Sequence, residues 1–252
     1  SAASDVYKRQ LICSILIASV GLNTDSTAVV IGAMLISPLL GPILGLGLSI
    51  STNDIDTLKN SLTNILVMVL LSITTAYIFF ALIQISDETS ELLSRTSPDI
   101  RDVLIAFCGG VALIIAKTKK ENISSAIFGV AIATALMPPL CTVGYYLAEN
   151  NLTNAAGAFL LFLINTLYII VATYVVLKVL GFPLKVYANS KRRKFVNRAV
   201  TLIAASFAII AVLEFFEVMD ESKFEREARS FLDTELVALP NGDYLSKSAI
   251  ID

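Results

Sequence analysis

The stretch Ser37-Pro38-Leu39-Leu40-Gly41-Pro42 interrupts an apolar segment that otherwise runs from Ala28 to Ile50. A second interruption, Met137-Pro138-Pro139, divides the apolar segment from Ile123 to Ala148. Proline has no backbone N–H and clashes with the carbonyl group one turn earlier, so each segment is predicted to kink or to split into two half-helices. The backbone groups freed in this way are tolerated only against protein or a water-filled cavity, never against lipid. Paired broken helices in matching halves of a chain indicate a transport site.

The composition is that of an integral membrane protein. Hydrophobic residues make up 56% of the 252 residues and charged residues 16%, against about 45–50% and about 25% in soluble domains. The mean hydropathy is +0.76. Histidine is absent, which excludes imidazole catalysis and histidine metal or haem ligation. The three cysteines show no CxxC spacing, so we expect neither a disulfide framework nor a zinc site. No cofactor, metal or nucleic-acid partner is expected.

An all-α fold with seven transmembrane helices is predicted, because a helix needs about 20 apolar residues to cross the hydrocarbon core. The first segment is short for a span and relies on tilt or local thinning of the bilayer. The predicted spans are Gln10–Leu22, Ala28–Ile50 (broken), Leu62–Ile85, Asp99–Ala116, Ile123–Ala148 (broken), Asn154–Leu180 and Ala199–Phe216.

Lysine and arginine predict the orientation, because they are retained on the cytoplasmic side. If both broken segments span, one side has only Arg95 and Arg101 in its loops, and the N-terminus is cytoplasmic and the C-terminus extracytoplasmic. If both are re-entrant hairpins, the charge separation between the two sides becomes weaker, so spanning is favoured. The predicted cytoplasmic side collects Lys8, Arg9, Lys59, Lys117, Lys119, Lys120, Lys185, Lys191, Arg192, Arg193, Lys194 and Arg198.

The order straight, broken, straight occurs twice along the chain. Ser61-Leu62-Thr63-Asn64 follows the first broken segment, and Asn151-Leu152-Thr153-Asn154 follows the second, so each is predicted to open a long span. Three spans per unit is an odd number, so the second unit enters the membrane from the opposite side. The pattern therefore predicts a 3+3 inverted repeat, which is typical of secondary transporters, with the seventh span outside it.

The predicted organisation follows from these spans. Residues 1–85 form the first membrane repeat, 86–98 a polar outer linker and 99–182 the second repeat. Residues 183–198 are a basic cytoplasmic loop close to lipid headgroups, and 199–216 are the seventh span. Residues 217–252 form a polar amphipathic tail outside the cell, with apolar residues at helical spacing. The chain begins without methionine, and whether it is a fragment that lacks an upstream region is left open.

Polar or helix-breaking residues inside the spans are the candidates for a substrate or ion pathway, for which the alternatives are structural kinks and interhelical contacts. Gly41-x-x-x-Gly45 favours the structural alternative, since small residues four apart let helices approach closely. Asp25 is predicted to cap the first broken helix, and Thr63 and Asn64 to cap near a membrane end. The pathway candidates are Ser37, Pro38, Gly41, Pro42, Thr134, Pro138, Pro139, Thr142, Asn165 and Thr166.

Three blocks of sequence resemble a prokaryotic membrane family. The run from Ala28 to Ile43 is similar to its signature, Arg95-Thr96-Ser97-Pro98 to its middle block, and the region from Gly129 to Leu140 to its last block. The family is catalogued as domain of unknown function 389, an uncharacterised hydrophobic domain, and the resemblance covers Leu11 to Phe182. It implies a multi-pass protein of a bacterial or archaeal inner membrane, often with an extra soluble region. It implies no activity, so no functional residue is transferred.

A secondary transporter or permease for a small solute or ion is the leading functional hypothesis. A channel, or a membrane scaffold or sensor that carries a soluble domain, remains the alternative, and a homo-oligomer is left open. An enzyme is not expected, because the sequence has no histidine, no GxSxG and no cluster of metal ligands. No Walker-type loop with GK[ST] is present, so nucleotide-driven transport is not expected either.

Overall fold

The computed structural model describes residues 2–83, 88–118 and 136–185, together with single residues and short runs between 195 and 230. Within these ranges the chain is helical and contains no strand. We number the helices in chain order as α1 (Ala2–Asn23), α2 (Thr27–Ile36), α3 (Leu40–Thr52), α4 (Ile55–Leu82), α5 (Ser90–Leu93), α6 (Ile100–Thr118), α7 (Met137–Ala148) and α8 (Leu152–Val179).

Two of these helices, α4 and α8, are long and apolar enough to cross a membrane. The pair α2 and α3 would be a third span if it counts as one bent helix. Seven spans are therefore not confirmed in the described part of the chain. The predicted span from Ala199 to Phe216 and the tail at 217–252 lie largely outside the described residues.

The first predicted break is confirmed. Helix α2 ends at Ile36, α3 begins at Leu40, and the two helix axes differ in direction by 53°. Ser37 has an extended backbone, with φ −72° and ψ 130°, as expected for a residue that precedes proline. Pro38 has no N–H to donate, so the hydrogen-bond ladder stops there.

One end of the helix bundle is built around the short helix α5, and we call it the α5 end. Thr89 Oγ1 donates to the carbonyl of Leu22 at 2.7 Å, and Thr27 hydrogen-bonds Glu91. Asp25, with a left-handed φ of 52°, accepts from the Glu91 N–H at 2.9 Å. The prediction that Asp25 caps the first broken helix is therefore wrong. Its carboxylate instead binds the start of α5, which the tertiary fold places next to Asp25.

The opposite end, which we call the Lys185 end, joins α3 and α4 to the segment after α8. The Lys185 N–H donates to the carbonyl of Thr52 at 2.8 Å, and its ammonium group binds Asp54 at 2.7 Å. Helix α8 connects the two ends: its 28 residues extend about 42 Å. Since α2 starts at the α5 end and α3 finishes at the Lys185 end, the bent pair crosses the bundle and does not return as a hairpin.

Helices α4 and α8 begin in the same way. Each is preceded by an asparagine with a left-handed backbone, Asn53 (φ 60°) and Asn150 (φ 57°). Each then has a side-chain cap: Asp54 accepts from two N–H groups of the first turn of α4, and Asn151 accepts from one of α8. Both helices have 28 residues, and their first residues are 97 positions apart, as are the first residues of α3 and α7.

The prediction that two similar tetrapeptides open long helices is confirmed for the second and wrong for the first. Asn151 caps α8 and Leu152-Thr153-Asn154 forms its first turn, whereas Leu62-Thr63-Asn64 lies two turns inside α4. Thr63 and Asn64 are therefore not caps. Helix α4 starts earlier than predicted because the Asp54 carboxylate accepts hydrogen bonds from N–H groups of its first turn. The polar residues Thr63 and Asn64 then lie within the helix and do not end it.

Glycines allow the long helices to pack closely against the half-helices. A Cβ on Gly47 of α3 would lie 2.5 Å from Cβ of Thr173 in α8, and a Cβ on Gly144 of α7 would lie 2.5 Å from Cβ of Ala76 in α4. Gly41, the first member of the predicted Gly-x-x-x-Gly contact, has nothing within 4 Å of such a position. The close approaches are thus made beyond the break and not at it.

Candidate functional site

The broken backbone at the first interruption is partly satisfied by a side chain of another helix. Nε2 of Gln10 in α1 donates to the carbonyl oxygen of Ile36 at 2.6 Å. The Ser37 N–H donates to the Met34 carbonyl at 3.2 Å, which closes the last turn of α2. The Met34 carbonyl, which Pro38 leaves without its usual donor, and the Ile36 carbonyl at the end of α2 therefore both have polar partners in protein, as the low polarity of a membrane interior requires.

An open cavity of about 570 Å³ lies directly beside this break. Its volume falls within the roughly 300–1,000 Å³ typical of small-molecule sites. Walls come from α1, from both sides of the break, from α4 and from the last turn of α6. The described lining residues are Tyr7, Lys8, Leu35, Ser37, Pro38, Leu40, Gly41, Pro42, Leu44, Asn64, Val67, Met68 and Lys117.

All four pathway candidates predicted at the first break, Ser37, Pro38, Gly41 and Pro42, line this cavity. They do so because the three residues between α2 and α3 interrupt the helix surface, and Gly41 adds no side chain to fill the space. The break thus forms one wall of the cavity, in addition to bending the helix.

The second break is described only on its far side. Helix α7 starts at Met137, with Pro138 and Pro139 in its first turn, where the missing N–H groups cost nothing. Both prolines are buried, and the buried Thr142 Oγ1 donates to the carbonyl of Pro138 at 3.1 Å. None of these residues is among the described lining of the cavity. Thr134 lies outside the described residues.

The two candidates in α8 lie elsewhere. Asn165 and Thr166 are buried in the interior of that helix. Thr166 lines a separate groove of about 340 Å³ between α3, α4 and α8, whose other described lining residues are all apolar. Among the described residues, the Thr166 hydroxyl has no hydrogen-bond partner. The structure therefore does not bring these two residues into the cavity at the first break.

Four polar residues that line this cavity were not among the candidates predicted from the sequence: Tyr7, Lys8, Asn64 and Lys117. Tyr7, Lys8 and Lys117 flank the predicted spans, where they look like ordinary flanking residues. Asn64 shares one face of α4 with Val67 and Met68, three and four residues later, and all three line the cavity. The sequence shows that these three residues share a face, but not that the face meets the proline break.

These observations define a helical protein with apolar helices of membrane-spanning length and a cavity, lined by apolar and polar residues, at a helix break. The chain belongs to the family described as Domain of unknown function (DUF389), whose model matches residues 34–171. The prediction of this family is thus confirmed.

One curated relative is "Uncharacterized protein MJ0678" of Methanocaldococcus jannaschii, 31% identical over 204 residues. That alignment covers 81% of this chain and 63% of the relative, so the chain spans less than two thirds of the relative's length. No solved structure matches the chain.

Proposed function

We propose that this chain forms the membrane core of a secondary transporter for a small solute or ion, in a prokaryotic inner membrane. The observation that carries the proposal is the cavity at the Ser37–Pro38 break, within a bent helix pair that crosses the bundle. Broken helices whose freed backbone faces a cavity are the usual binding elements of such carriers. In the proposed orientation the Lys185 end is cytoplasmic, following the positive charge.

We further propose that the two halves are an inverted repeat with a spacing of 97 residues. Three structural features recur 97 residues apart: the first residues of helices, the asparagines with a left-handed backbone, and the glycines at close helix contacts. It also pairs residues 97 apart that are identical in sequence: Gly32 with Gly129, Leu39 with Leu136, Pro42 with Pro139, Gly47 with Gly144, and Asn53 with Asn150. A shared spacing in both structure and sequence supports a duplication far better than a matching tripeptide.

The contacts between the halves are reciprocal. Gly47 packs on Thr173, and Gly144 packs on Ala76; the glycines are 97 positions apart, and so are their partners. Helix α4 runs from the Lys185 end toward the α5 end, and α8 runs in the reverse direction. Each half-helix after a break thus packs on the long helix of the other half, as two oppositely oriented units related by a pseudo-two-fold axis would.

Both breaks lie at a similar depth in the proposed membrane. Helix α2 has 10 residues between the α5 end and its break, and α7 has 12 between its break and the same end. At 1.5 Å per residue these are about 15 and about 18 Å, close to the middle of a hydrocarbon core about 30 Å thick.

The described cavity extends from the first break toward the Lys185 end, where α1 begins and α6 finishes, since Lys8 and Lys117 line it. At the α5 end, Gly144 and Ala76 pack tightly and the loops are hydrogen-bonded to one another. We infer that this conformation is open to the cytoplasmic side. Rocking of one half against the other would then expose the same break to the opposite side.

Cysteine accessibility tests the topology on which the carrier rests. Cysteines replacing Asn60 and Glu149, both exposed, should react with a membrane-impermeant maleimide from opposite sides of the membrane. The variants are made after the exposed Cys13 and Cys108 are changed to serine. Labelling of both positions from the same side would contradict the inverted repeat.

Flux into proteoliposomes tests transport itself. The protein is reconstituted and supplied with a panel of labelled small anions, cations and neutral solutes, with protein-free vesicles as the blank. Saturable flux that Pro38→Ala slows is the expected result, because alanine supplies the backbone N–H that is missing at the break. Absence of flux for the whole panel would reject transport in favour of a scaffold, and ohmic single-channel currents would reject a carrier.

A further inference from the structure

We propose that the cavity at the first break binds a small anion, organic or inorganic. This inference rests on the proposed function for the movement of the anion across the membrane, but not for its binding. The formally charged residues of the described lining are two lysines, Lys8 and Lys117, and no carboxylate belongs to that lining. A cleft lined by charges of one sign raises the local concentration of counter-ions.

The two lysines come from different helices and reach the same space. Lys8 lies in α1, where it is half-buried, and Lys117 lies at the end of α6, separated from it by more than a hundred residues. In the described part of the chain neither forms an ion pair, in contrast to Lys185, whose ammonium group binds Asp54 and Asp56. Among the described residues no carboxylate pairs with either lysine; two cations at one cavity repel each other, and an anion between them removes that repulsion.

Polar donors complete the surroundings of these charges. Tyr7, Ser37 and Asn64, whose side chains can donate hydrogen bonds, belong to the same lining. Helix α3 starts at the cavity, and its N-cap position, Leu39, provides no side-chain hydrogen bond. The N–H groups of Leu40 and Gly41 are therefore not capped by that residue, and they add positive potential where the lysines already supply it; Pro42 has no N–H to contribute.

The retention of positive charge on the cytoplasmic side is the competing explanation for these lysines. That rule concerns the number of charges on a side, and it does not require them to share a cavity. Arg9 and Lys59 satisfy it equally well: both are exposed at the same end of the bundle and neither belongs to the described cavity lining. They supply matched controls with the same loss of charge.

Thiol-reagent selectivity measures the sign of the potential without any transport assay. A reporter is made as Gly41→Cys, where a Cβ has open space, and a reference as Asn60→Cys, which is exposed at the same end. Both are built in the protein lacking Cys13 and Cys108. Each is reacted in detergent with sulfonatoethyl and trimethylammonioethyl methanethiosulfonate, which differ in the sign of their charge.

We expect the ratio of anionic to cationic reaction rates to be about tenfold higher at the cavity reporter than at the reference. Lys8→Gln with Lys117→Gln should abolish this preference, whereas Arg9→Gln with Lys59→Gln should retain it. Inorganic phosphate or succinate should slow reaction at the reporter, and choline should not. Equal ratios at both positions, a cationic preference, or no effect of the two lysine variants would overturn the inference.

The outcomes separate this inference from the proposed function. Anionic selectivity and protection by phosphate or succinate, without flux in proteoliposomes, would leave the anion site standing and reject the transporter. Saturable flux of a cation together with cationic selectivity at the reporter would leave the transporter standing and reject the anion site.

Discussion

Gly144→Ala is expected to destabilise the protein, because at Gly144 α7 packs directly on the backbone of α4. A Cβ at this position would lie 2.5 Å from Cβ of Ala76, 2.7 Å from the Tyr77 nitrogen and 2.9 Å from the Ala76 carbonyl carbon. Carbon atoms in good contact are about 3.5–4.0 Å apart. The two helices must therefore separate locally by about 1 Å, since backbone atoms cannot rotate away as a side chain does.

The magnitude follows from two opposing effects. Overpacking of this kind costs about 1–3 kcal/mol, and the backbone contacts place Gly144→Ala near the upper limit. Alanine in place of glycine in a helix interior returns about 1 kcal/mol. We therefore expect a net loss of about 2 kcal/mol in the free energy of unfolding, which is roughly a thirtyfold change in the folding equilibrium.

Unfolding by sodium dodecyl sulfate in mixed micelles, followed by circular dichroism, measures this loss. The matched control is Gly32→Ala, inside α2, where a Cβ meets nothing within 4 Å and stability should be unchanged or rise by up to about 1 kcal/mol. Ala76→Gly should cost less stability in the Gly144→Ala protein than in the original protein, because there it also removes the nearest clashing atom. Equal stability of the two alanine variants, or the same cost of Ala76→Gly in both proteins, would refute the packing argument.

Three further predictions concern single polar contacts. Burial raises the pKa of Asp54, but hydrogen bonds from Lys185 and Thr57 outweigh it, so the folded pKa is lowered from 3.8. Lys185→Met should therefore lower the melting temperature at pH 7, by an amount that shrinks as the pH falls through the pKa of Asp54; a pH-independent loss would contradict this pairing. Asp25→Ala removes the acceptor for two donors at the start of α5 and should cost about 1 kcal/mol in denaturant titrations, with faster proteolysis of the α5 loop; an unchanged cleavage rate would count against it. Gln10→Leu should cost about 1 kcal/mol through the lost partner of the carbonyl at the break, and Gln10→Glu, which cannot donate when ionised, should behave like leucine; a glutamate variant as stable as the original protein would exclude this hydrogen bond.

Local chemistry allowed much of the fold to be predicted from the sequence. Pro38 interrupts a helix wherever it stands, because it lacks an N–H, and the break at residues 37–39 follows. The long apolar runs predict α4 and α8, but α4 starts at Ile55 and not at the predicted Leu62, and α8 starts at Leu152 and not at the predicted Asn154. Asp54 and Asn151 set those starts through side-chain caps, which short polar residues before a helix can always provide.

The spacing of 97 residues on which the proposed repeat rests is also present in the sequence, but it is harder to see there than the shared tripeptide. The tripeptide shared by residues 62–64 and 152–154 suggested a spacing of 90, whereas the helix starts are 97 apart. Isolated matches at Gly32, Pro42, Gly47 and Asn53 with residues 97 positions later carry more information. Pro42, Gly47 and Asn53 mark positions where backbone geometry or close packing limits the choice of residue, whereas Gly32 has open space around it.

The cavity itself was decided only by the tertiary structure. The sequence by itself determined that a helix breaks at Pro38 and that the carbonyls at the break need polar partners. It could not determine that Gln10 supplies one of these partners, or that Lys8, Asn64 and Lys117 surround the same space. Helix breaking depends on atoms within one turn of the chain, whereas this cavity depends on how five helices, α1, α2, α3, α4 and α6, pack against one another.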